Sequence, residues 1–407
     1  MISIESKKLL SEILEQVGDN LDITPKQHDD IVARYKAVGT WLADEESDLA
    51  PYKPTVLPQG SFLFGTMIKP VAEDDEIDFD LVCRLVGKKE NWTQADLKKI
   101  VGDRLKAHGK YEEMLRKEGR RCWTIGYSKE TKFHMDVLPA IVSQDYQVLL
   151  EKAFSANEYE DESALAIRIT DNTADNYESS SNPDEWPKSN PFGYANWFRQ
   201  QASLIIRKAK LFNESVAAAP DFEEDKLPLQ RAVQILKRHR DILFDGDEDK
   251  PISIIITTLA GLAYNKETDV VDALLNILSL MEDHIKDDYD IDRGTWIKKI
   301  SNPVNEEENF ADKWPDHPQR RKNFYKWLAQ AREDFGALPA QRGLDTIKES
   351  LEKSLGSDPV TKAFSNYANK TTKARESGNL YSAAKSGVLG SVGAAVKSHN
   401  FYGKKEQ

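Results

Sequence analysis

Two aspartates in the stretch IDFDL have the spacing of a metal-binding pair. Asp78 and Asp80 stand two residues apart in an alternating apolar run. Side chains alternate between the two faces of a β-strand, so both carboxylates should project to one side and their apolar neighbours to a core. Adjacent carboxylates repel each other unless a cation lies between them, and oxygen ligands suit Mg²⁺ or Mn²⁺. The pair predicts a metal site.

A second alternating run, FHMDVLP, carries a third aspartate. Its apolar residues Phe133, Met135 and Val137 should share one face, which leaves His134 and Asp136 on the other. If the two strands are neighbours, Asp136 joins the first two aspartates. Three carboxylates around two divalent ions could activate an attacking hydroxyl and stabilise a leaving pyrophosphate. His134 is expected to line the cleft or to make a local hydrogen bond.

The Asp-x-Asp pattern is weak evidence by itself. The run DDYDID repeats it at Asp288, Asp290 and Asp292, where a solvated loop is the expectation. Short motifs match by chance, so the acidic pair needs support from its surroundings.

The stretch LPQGSFLFGTMIKP, residues 57–70, supplies that support just before the acidic pair. Glycine permits close approach of a ligand to the main chain, and successive main-chain N–H groups can bind phosphate. Gln59, Gly60 and Ser61 are therefore candidates for holding a triphosphate in a Gly-Ser turn.

Composition excludes several classes of protein. The chain has 407 residues and a net charge of −12, from 68 acidic and 56 basic residues. An acidic protein lacks the broad basic face that captures nucleic acid. The cluster Arg116, Lys117, Arg120 and Arg121 is the candidate for a nucleic-acid or partner contact, and a solvated helix end is the simpler interpretation.

Cysteine content and hydropathy point to the cytoplasm. Two cysteines, Cys83 and Cys122, are too few for a disulfide framework or a cysteine-rich zinc site, and both are expected to be buried reduced thiols. The first residues lack the apolar core of a signal peptide. The longest apolar run has 14 residues, below the ~20 that a spanning helix needs. No membrane association is expected.

Changes in periodicity divide the chain into four parts. Residues 1–45 predict helices, one of them beginning at Thr24 and Pro25. Residues 46–190 form the second part, in which strands and a helix are predicted up to about residue 150 and a polar connection over 155–190. Residues 191–355 predict one helix after another, and 356–407 predict a flexible tail.

The order of these motifs resembles a known enzyme family. The Gly-Ser turn, the acid pair, the later single acid and the segments LQRAVQILKRHRD, PISIIITTLA and NPVNEEENFADKW look like a bacterial cGAS/DncV-like nucleotidyltransferase (CD-NTase). The resemblance implies an α+β fold: a polymerase-β-like nucleotidyltransferase core with a mixed sheet, a C-terminal helical lobe, and a central nucleotide cleft. The first 45 residues would pack on the core, and residues 191–355 would complete the nucleotide pocket.

The resemblance also implies roles for particular residues. Asp78, Asp80 and Asp136 match the catalytic and metal-binding positions, and residues 59–61 match the donor-phosphate loop. Lys237 and Ser253 match a lysine and a serine that contact the triphosphate in related enzymes. The implied cofactor is a pair of Mg²⁺ or Mn²⁺ ions.

The implied activity is the joining of NTPs, with ATP expected among them, into a cyclic di- or trinucleotide messenger of antiphage (CBASS) defence. A HORMA-type protein or ubiquitin-like conjugation machinery is the implied partner of the C-terminal tail. Direct activation by duplex DNA is not expected, because the chain is acidic and lacks the cysteines for a zinc-binding insertion. A nucleotidyltransferase that modifies an RNA end or a protein, and a non-catalytic interaction module that keeps the fold, are the alternatives.

Overall fold

A computed structural model gives the three-dimensional structure of most of the chain. It describes residues 4–383, 389–390 and 393–396, apart from 73–74, 128–131, 147, 150–161, 203–215, 217–218, 223–224 and 292. Parts of the predicted helical region over 191–355, of the predicted tail and of the predicted polar connection lie outside these residues.

A mixed six-stranded sheet forms the first layer of the structure. Its strands are β1 (Thr55–Pro58), β2 (Ile77–Val86), β3 (Trp123–Tyr127), β4 (Phe133–Val142), β5 (Ile167–Ile169) and β6 (Lys188–Ser189). They are ordered β1-β2-β4-β5-β6, and β3 also pairs with β4. The central strands β2 and β4 run parallel, whereas β1, β3 and β5 are antiparallel to their neighbours.

Helices surround this sheet and build a second, helical part. In the first half of the chain they are α1 (Ile4–Leu21), α2 (Pro25–Leu42), α3 (Gly60–Phe64), α4 (Gln94–Lys106) and α5 (Gly109–Met114). From residue 191 onward the described helices are α6 (Pro191–Ala202), α7 (Pro228–Phe244), α8 (Ser253–Ala263), α9 (Val270–Leu280), α10 (Pro318–Ala337), α11 (Leu344–Leu355) and α12 (Ser357–Glu376).

The two faces of the central strands belong to two different cores. Phe79 and Leu81 of β2 pack with α2 and α4 in one apolar cluster. Val82, on the opposite face, packs in the cluster that α1 and the helical part share. Asp78 and Asp80 lie on the same face as Val82, nearer the start of the strand. On that face of β2, the carboxylates therefore lie near the start of the strand, and the residues after them pack in the core of the helical part.

Several local predictions are confirmed. Thr24 caps α2 with a capping box, and Pro25 is the first helical residue. The alternation in β2 and β4 is present, since Phe79 and Met135 are buried and Asp78 is exposed. The α+β class, with a mixed sheet and a helical part, is also confirmed. The exact division into four parts stays a prediction.

The predicted polar connection over 155–190 is not only a connection. Within it, β5 and β6 extend the main sheet beyond β4. Ile167 and Ile169 are buried, and Arg168 between them donates to the main-chain oxygen of Trp186 (3.1 Å). A three-residue strand in a polar stretch carries too little periodicity to be recognised from sequence.

The expectation of uninterrupted helices over 191–355 is wrong between residues 286 and 309. Two small hairpins occur there, β7 (Lys286–Asp290) with β8 (Thr295–Lys299), and β9 (Ser301–Asn302) with β10 (Asn305–Asn309). The run DDYDID is thus mainly a strand and its turn. Cross-strand ion pairs, Lys298 with Asp287 (2.8 Å) and Lys299 with Asp288 (3.1 Å), stabilise the first hairpin.

The predicted flexible tail begins with a regular helix. α12 covers Ser357–Glu376 and packs against α1 and α11. Val360, Ala363 and Tyr367 are its buried stripe. Helical spacing of these small and aromatic residues provides the apolar contact that the composition of the segment conceals. Short strands β11 (Tyr381–Ser382), β12 (Leu389–Gly390) and β13 (Ala394–Ala395) follow.

Among the described residues, none of the helices combines the length and apolar character needed to cross a lipid bilayer.

Candidate active site

A large cleft opens between the start of β2 and the helical part, with a volume of about 900 Å³. The predicted site residues that line it are Gly60, Ser61, Asp78, Asp80, Lys237 and Ser253. Other lining residues come from the segment after α3 and from Glu76, Arg116, His134, Arg240, Asp241 and Lys250.

Adjacent parallel strands bring the three predicted aspartates together. In the register of β2 and β4, Asp80 lies opposite Asp136 and Asp78 lies opposite His134. Ligand atoms of Asp78, His134 and Asp136 all lie within 4.8 Å of one another. This group of possible metal ligands thus includes His134, and Asp80 lies beside it.

Asp80 is held in a crowded environment. Burial raises the pKa of its carboxyl well above the usual range, and the carboxylates of Asp78 and Asp136 raise it further. Gly60 passes close by: a β-carbon added there would lie 2.6 Å from Asp80 Oδ2. Only glycine can occupy this position without displacing the carboxylate.

His134 links the aspartates to a second charged pair. Its Nε2 lies 3.1 Å from Asp78 Oδ1, and its Nδ1 lies 3.1 Å from Glu76 Oε2. The hydrogen bond with Asp78 raises the pKa of the imidazole. Arg116 donates to both oxygens of Glu76 (2.5 and 2.6 Å), which lowers the pKa of that carboxyl. This chain of contacts fixes the orientation of His134 at the edge of the cleft.

Asp136 has its own partners on β3. Thr124 Oγ1 donates to Asp136 Oδ1 at 2.5 Å. The partly buried thiol of Cys122 also lies beside Asp136, and burial together with this carboxylate raises its pKa to about 12. Cys122 is therefore a protonated neighbour of the acidic group. Cys83 is fully buried, as expected.

The predicted Gly-Ser turn is the first turn of a short helix. α3 begins at Gly60, whose φ is +65°, and is followed directly by Gly65, whose φ is +68°. The N–H of Gln59 donates to the main-chain oxygen of Asp80 (2.9 Å), which ties the segment to β2. Two glycines in the left-handed region let the chain turn into and out of one helical turn beside the acidic strand.

The opposite wall of the cleft is cationic and comes from the helical part. Arg240 Nη1 donates to Ser253 Oγ at 2.8 Å and to the main-chain oxygen of Pro251. Asp241 pairs with both Arg240 (2.8 Å) and Lys250 (3.0 Å). The hydroxyl of Ser253 is thus held in place by a buried guanidinium.

Lys237 lies on the same wall. Its Nζ donates to the main-chain oxygen of Thr66 at 2.9 Å. Burial and, to a lesser degree, the charge of Arg240 lower the pKa of the ammonium to about 8. The cleft therefore has carboxylates on its sheet side and cations on its helical side.

The donor set fits divalent metal ions. Carboxylate oxygens with an imidazole nitrogen at their edge suit Mg²⁺ or Mn²⁺. Burial is the main cause of the raised pKa of Asp80, and the neighbouring carboxylates add a repulsion that a bound cation would relieve.

Comparison with known proteins agrees with this geometry. Residues 9–161 match the Second Messenger Oligonucleotide or Dinucleotide Synthetase (SMODS) domain. A protein of Roseivirga ehrenbergii named c-di-GMP synthase is 27% identical over 382 residues, which cover 93% of this chain and 92% of that one. The chain is therefore similar to CD-NTases, through a SMODS domain in its first part and through relatives that match nearly its whole length.

Solved structures of CD-NTases share the fold of this protein. CdnG of Bradyrhizobium diazoefficiens, solved with GTP, has a TM-score of 0.62 at 20% identity, over 88% of this chain and 99% of that one. DncV of Vibrio cholerae, solved with a linear intermediate, has a TM-score of 0.51 at 14% identity, over 86% and 88% of the two chains. The predicted polymerase-β-like core with a helical lobe is confirmed.

Some residues that line the cleft or contact its carboxylates were not predicted from the sequence. Glu76 and Thr124 lie in no recognisable motif, because their contacts join separate segments. Arg240 could have been found, since it follows Lys237 by three residues on one helix face. Arg116 was placed in a solvated basic cluster, whereas it lines the cleft.

The rest of that basic cluster has a structural role. Arg120 and Arg121 both pair with Asp171, at 2.6 and 3.0 Å. Burial opposes ionisation of Asp171, yet hydrogen bonds from Arg120 and Thr173 hold its pKa well below the usual range. These two arginines anchor the segment after β5.

Proposed function

We propose that this protein is a CD-NTase that acts as a cyclic dinucleotide synthase, which joins two NTPs with release of pyrophosphate. The observation that carries the proposal is the meeting of three aspartates from two parallel strands opposite a cationic wall, in a cleft large enough for nucleotides. The names of its relatives, c-di-GMP synthase and cyclic dinucleotide synthase CdnG, support the same reaction.

Asp78, Asp80 and Asp136 would hold two Mg²⁺ or Mn²⁺ ions. Bound there, the ions would neutralise charge on the donor phosphates and on the leaving pyrophosphate. The nitrogen of His134 lies within reach of the same group, and Glu76 and Arg116 orient it.

The donor triphosphate would lie along Ser61, Lys237 and Ser253. Ser61 donates from α3, and Lys237 supplies a positive charge from the helical side. Arg240 keeps the hydroxyl of Ser253 directed at the cleft. Gln59 and Gly60 shape the main chain beside these groups.

Asp136 would accept the proton in the chemical step. The 3′- or 2′-hydroxyl of the acceptor nucleotide attacks the α-phosphorus of the donor. Its proton passes to Asp136, the new P–O bond forms, and the bond to pyrophosphate breaks. The hydrogen bond from Thr124 orients this carboxylate. A second transfer closes the ring.

GTP is proposed as a substrate on the strength of the relatives. The Roseivirga protein is named a c-di-GMP synthase, and the Bradyrhizobium CdnG structure contains GTP. ATP, which the sequence resemblance implied, is the second nucleotide to test.

A role in antiphage signalling is proposed from the same resemblance. CdnC of Escherichia coli MS115-1 was solved in complex with a HORMA protein, and it shares this fold with a TM-score of 0.55. A HORMA-type protein or ubiquitin-like conjugation machinery is the proposed partner of the residues after α12. Loss of partner capture on deleting the residues after Ser377 is the expected result.

The deciding experiment is mass spectrometry of the product made from all four NTPs with Mg²⁺ or Mn²⁺. A phosphatase-resistant cyclic dinucleotide, absent with Asp136→Asn, is expected. Label transfer only to added RNA or protein would instead identify a macromolecule-modifying enzyme. Failure to bind or convert any NTP would favour a non-catalytic module.

A further inference from the structure

Helix α7 holds the chain segment that follows the Gly-Ser helix. Gln230 donates to the main-chain oxygen of Phe64, the last residue of α3 (2.9 Å). Three more side chains donate to main-chain oxygens of the segment itself: Gln234 to Met67 (2.9 Å), Lys237 to Thr66 (2.9 Å) and Arg238 to Lys69 (2.7 Å). Positions 230, 234, 237 and 238 lie on one face of a helix. The helix thus supports the segment through polar side chains.

These polar side chains are buried. Gln230 and Gln234 are 1% and 0% exposed. A buried amide costs stability unless its hydrogen bonds are made. An apolar side chain would fill the same space without donating to a carbonyl, so what this face provides is a fixed position for each main-chain oxygen it contacts.

Gln234 is the junction of these contacts. Its Nε2 donates to Met67 O and also to Asp22 Oδ1 at 2.6 Å. Its Oε1 accepts from Arg231 Nη1 at 2.9 Å. One side chain therefore joins the segment after α3, the end of α1 and the centre of α7.

The end of α1 restrains the segment from a second direction. The N–H of Lys69 donates to Leu21 O at 2.8 Å. Asp22, the next residue after Leu21, is the one that Gln234 contacts. The segment is thus held between two helices.

The other side of the segment forms a wall of the cleft. Thr66, Met67 and Lys69 line the cleft that also contains Ser61 and Asp78. A shift of the segment would move this wall relative to the aspartates. Its position is set by hydrogen bonds from side chains that lie 167 to 171 residues further along the chain.

We propose that Gln234 is a positioning residue for the NTP site: it fixes Met67 and its neighbours so that the donor triphosphate meets Ser61 and the aspartates in register. Gln234 has no place among the lining residues and acts through the segment. The inference rests on the proposed function, because it assumes that the cleft binds an NTP.

The test compares two glutamines replaced by the same apolar residue of similar length. Gln234→Met removes both donations. Gln330→Met is the matched control, since Gln330 is partly buried on α10 and donates to Asp334 (2.9 Å) within its own helix. The probe is a GTP analogue with a methylene bridge between its α- and β-phosphorus atoms, bound in the presence of Mg²⁺ and measured by calorimetry.

We expect Gln234→Met to bind the analogue about tenfold more weakly than wild type, as the loss of a positioning hydrogen bond predicts. Amide hydrogen exchange over residues 65–72 should also become faster, while β2 and β4 exchange as in wild type. Gln330→Met should change neither quantity. A larger effect on KM than on kcat is expected in turnover.

Equal affinities of Gln234→Met and wild type would overturn the inference, as would equal losses in the two variants. If Gln234→Met does not fold, Gln234→Glu is measured in the same way, because it keeps the acceptor oxygen and loses the donor. Unfolding of both variants would also overturn the inference. Failure of the proposed function is distinct, because wild type itself would then bind no analogue.

Discussion

Asp80 and Asp136 lie opposite each other on adjacent parallel strands, although 55 residues of chain separate them. Parallel pairing places successive side chains of both strands in register, so Asp78 and His134 form the next pair on the same face. The site is thus two rows of ligand atoms at the start of β2 and β4. Its geometry depends on the strand register and on the glycine that passes beside Asp80.

Replacing either strand-β2 aspartate should abolish product without harming the fold. In Asp78→Asn and Asp80→Asn we expect synthesis to fall by at least ~10³-fold. Because Asp80 is crowded by two carboxylates, Asp80→Asn should melt no lower than wild type. Product is measured by mass spectrometry and melting by calorimetry. Asp288→Asn, in the acidic pattern of β7, is the control, and full activity in both β2 variants would refute the assignment.

Gly60→Ala should disable the site through a collision. A β-carbon at Gly60 would lie 2.6 Å from Asp80 Oδ2. Displacement of a reacting group by about 1 Å can cost ~10² in rate, so we expect a loss of at least that size in kcat/KM. Gly87→Ala is the control: φ is +74° there, and the added carbon meets nothing within 4 Å. Alanine at positive φ is strained in both variants, so only the collision with Asp80 distinguishes them. Equal kcat/KM values of the two variants would therefore contradict the prediction.

Nucleotide affinity should fall as the pH rises through about 8. The pKa of Lys237 is lowered to about 8 by burial and by Arg240, so its ammonium is present below that pH and lost above it. A triphosphate prefers the charged form, hence the dissociation constant of the methylene-bridged GTP analogue should rise between pH 7.5 and 9.5. Lys237→Met should bind weakly at every pH, and Lys237→Arg should remove the pH dependence. A wild-type affinity that is constant over this range is the contrary result.

Arg231 should be among the most sensitive positions for stability. Its guanidinium is 1% exposed and pairs with Glu15 (3.2 Å), Asp19 (2.5 Å) and Asp22 (3.0 Å) at the end of α1. Removing one partner of a buried ion network leaves uncompensated charge, at a cost of ~3–5 kcal/mol. Arg231→Met should therefore lower the free energy of unfolding by this amount in urea titrations.

Arg293→Met provides the comparison for Arg231, because Arg293 forms an exposed pair with Asp316. Exposed pairs contribute little to stability. We expect no measurable change in its urea midpoint. If the two arginine variants unfold at the same urea concentration, the network around Arg231 is not the source of stability that its burial implies.

Local patterns made the acidic strands predictable. The alternation around Asp78 and Asp136 and the start of a helix at Thr24 and Pro25 are encoded within a few residues, and the structure has all three. That β2 and β4 are neighbours was a condition in the sequence argument, and the structure supplies it. What lies close in sequence could be inferred from periodicity and capping rules alone.

Contacts between segments that are distant in the chain could not be predicted from the sequence. The donation from Gln234 to Met67 spans 167 residues and that from Lys237 to Thr66 spans 171. A glutamine on a helix gives no sign of which carbonyl it meets. β5 and β6 are short strands that form only by pairing with neighbouring strands of the sheet. α12 is stabilised by packing on α1. Such features arise from tertiary context, which a single sequence does not display.

The packing of α12 on α1 constrains how truncated forms can be made. Val360 and Ala363 share a core with Leu10 and Val17, and Asn20 donates to the main-chain oxygen of Pro359 at 3.0 Å. A protein shortened within α12 would leave an apolar stripe of α1 facing water, where aggregation competes with folding. Poor solubility of such a fragment would then be mistaken for loss of a partner, so informative deletions begin beyond Glu376.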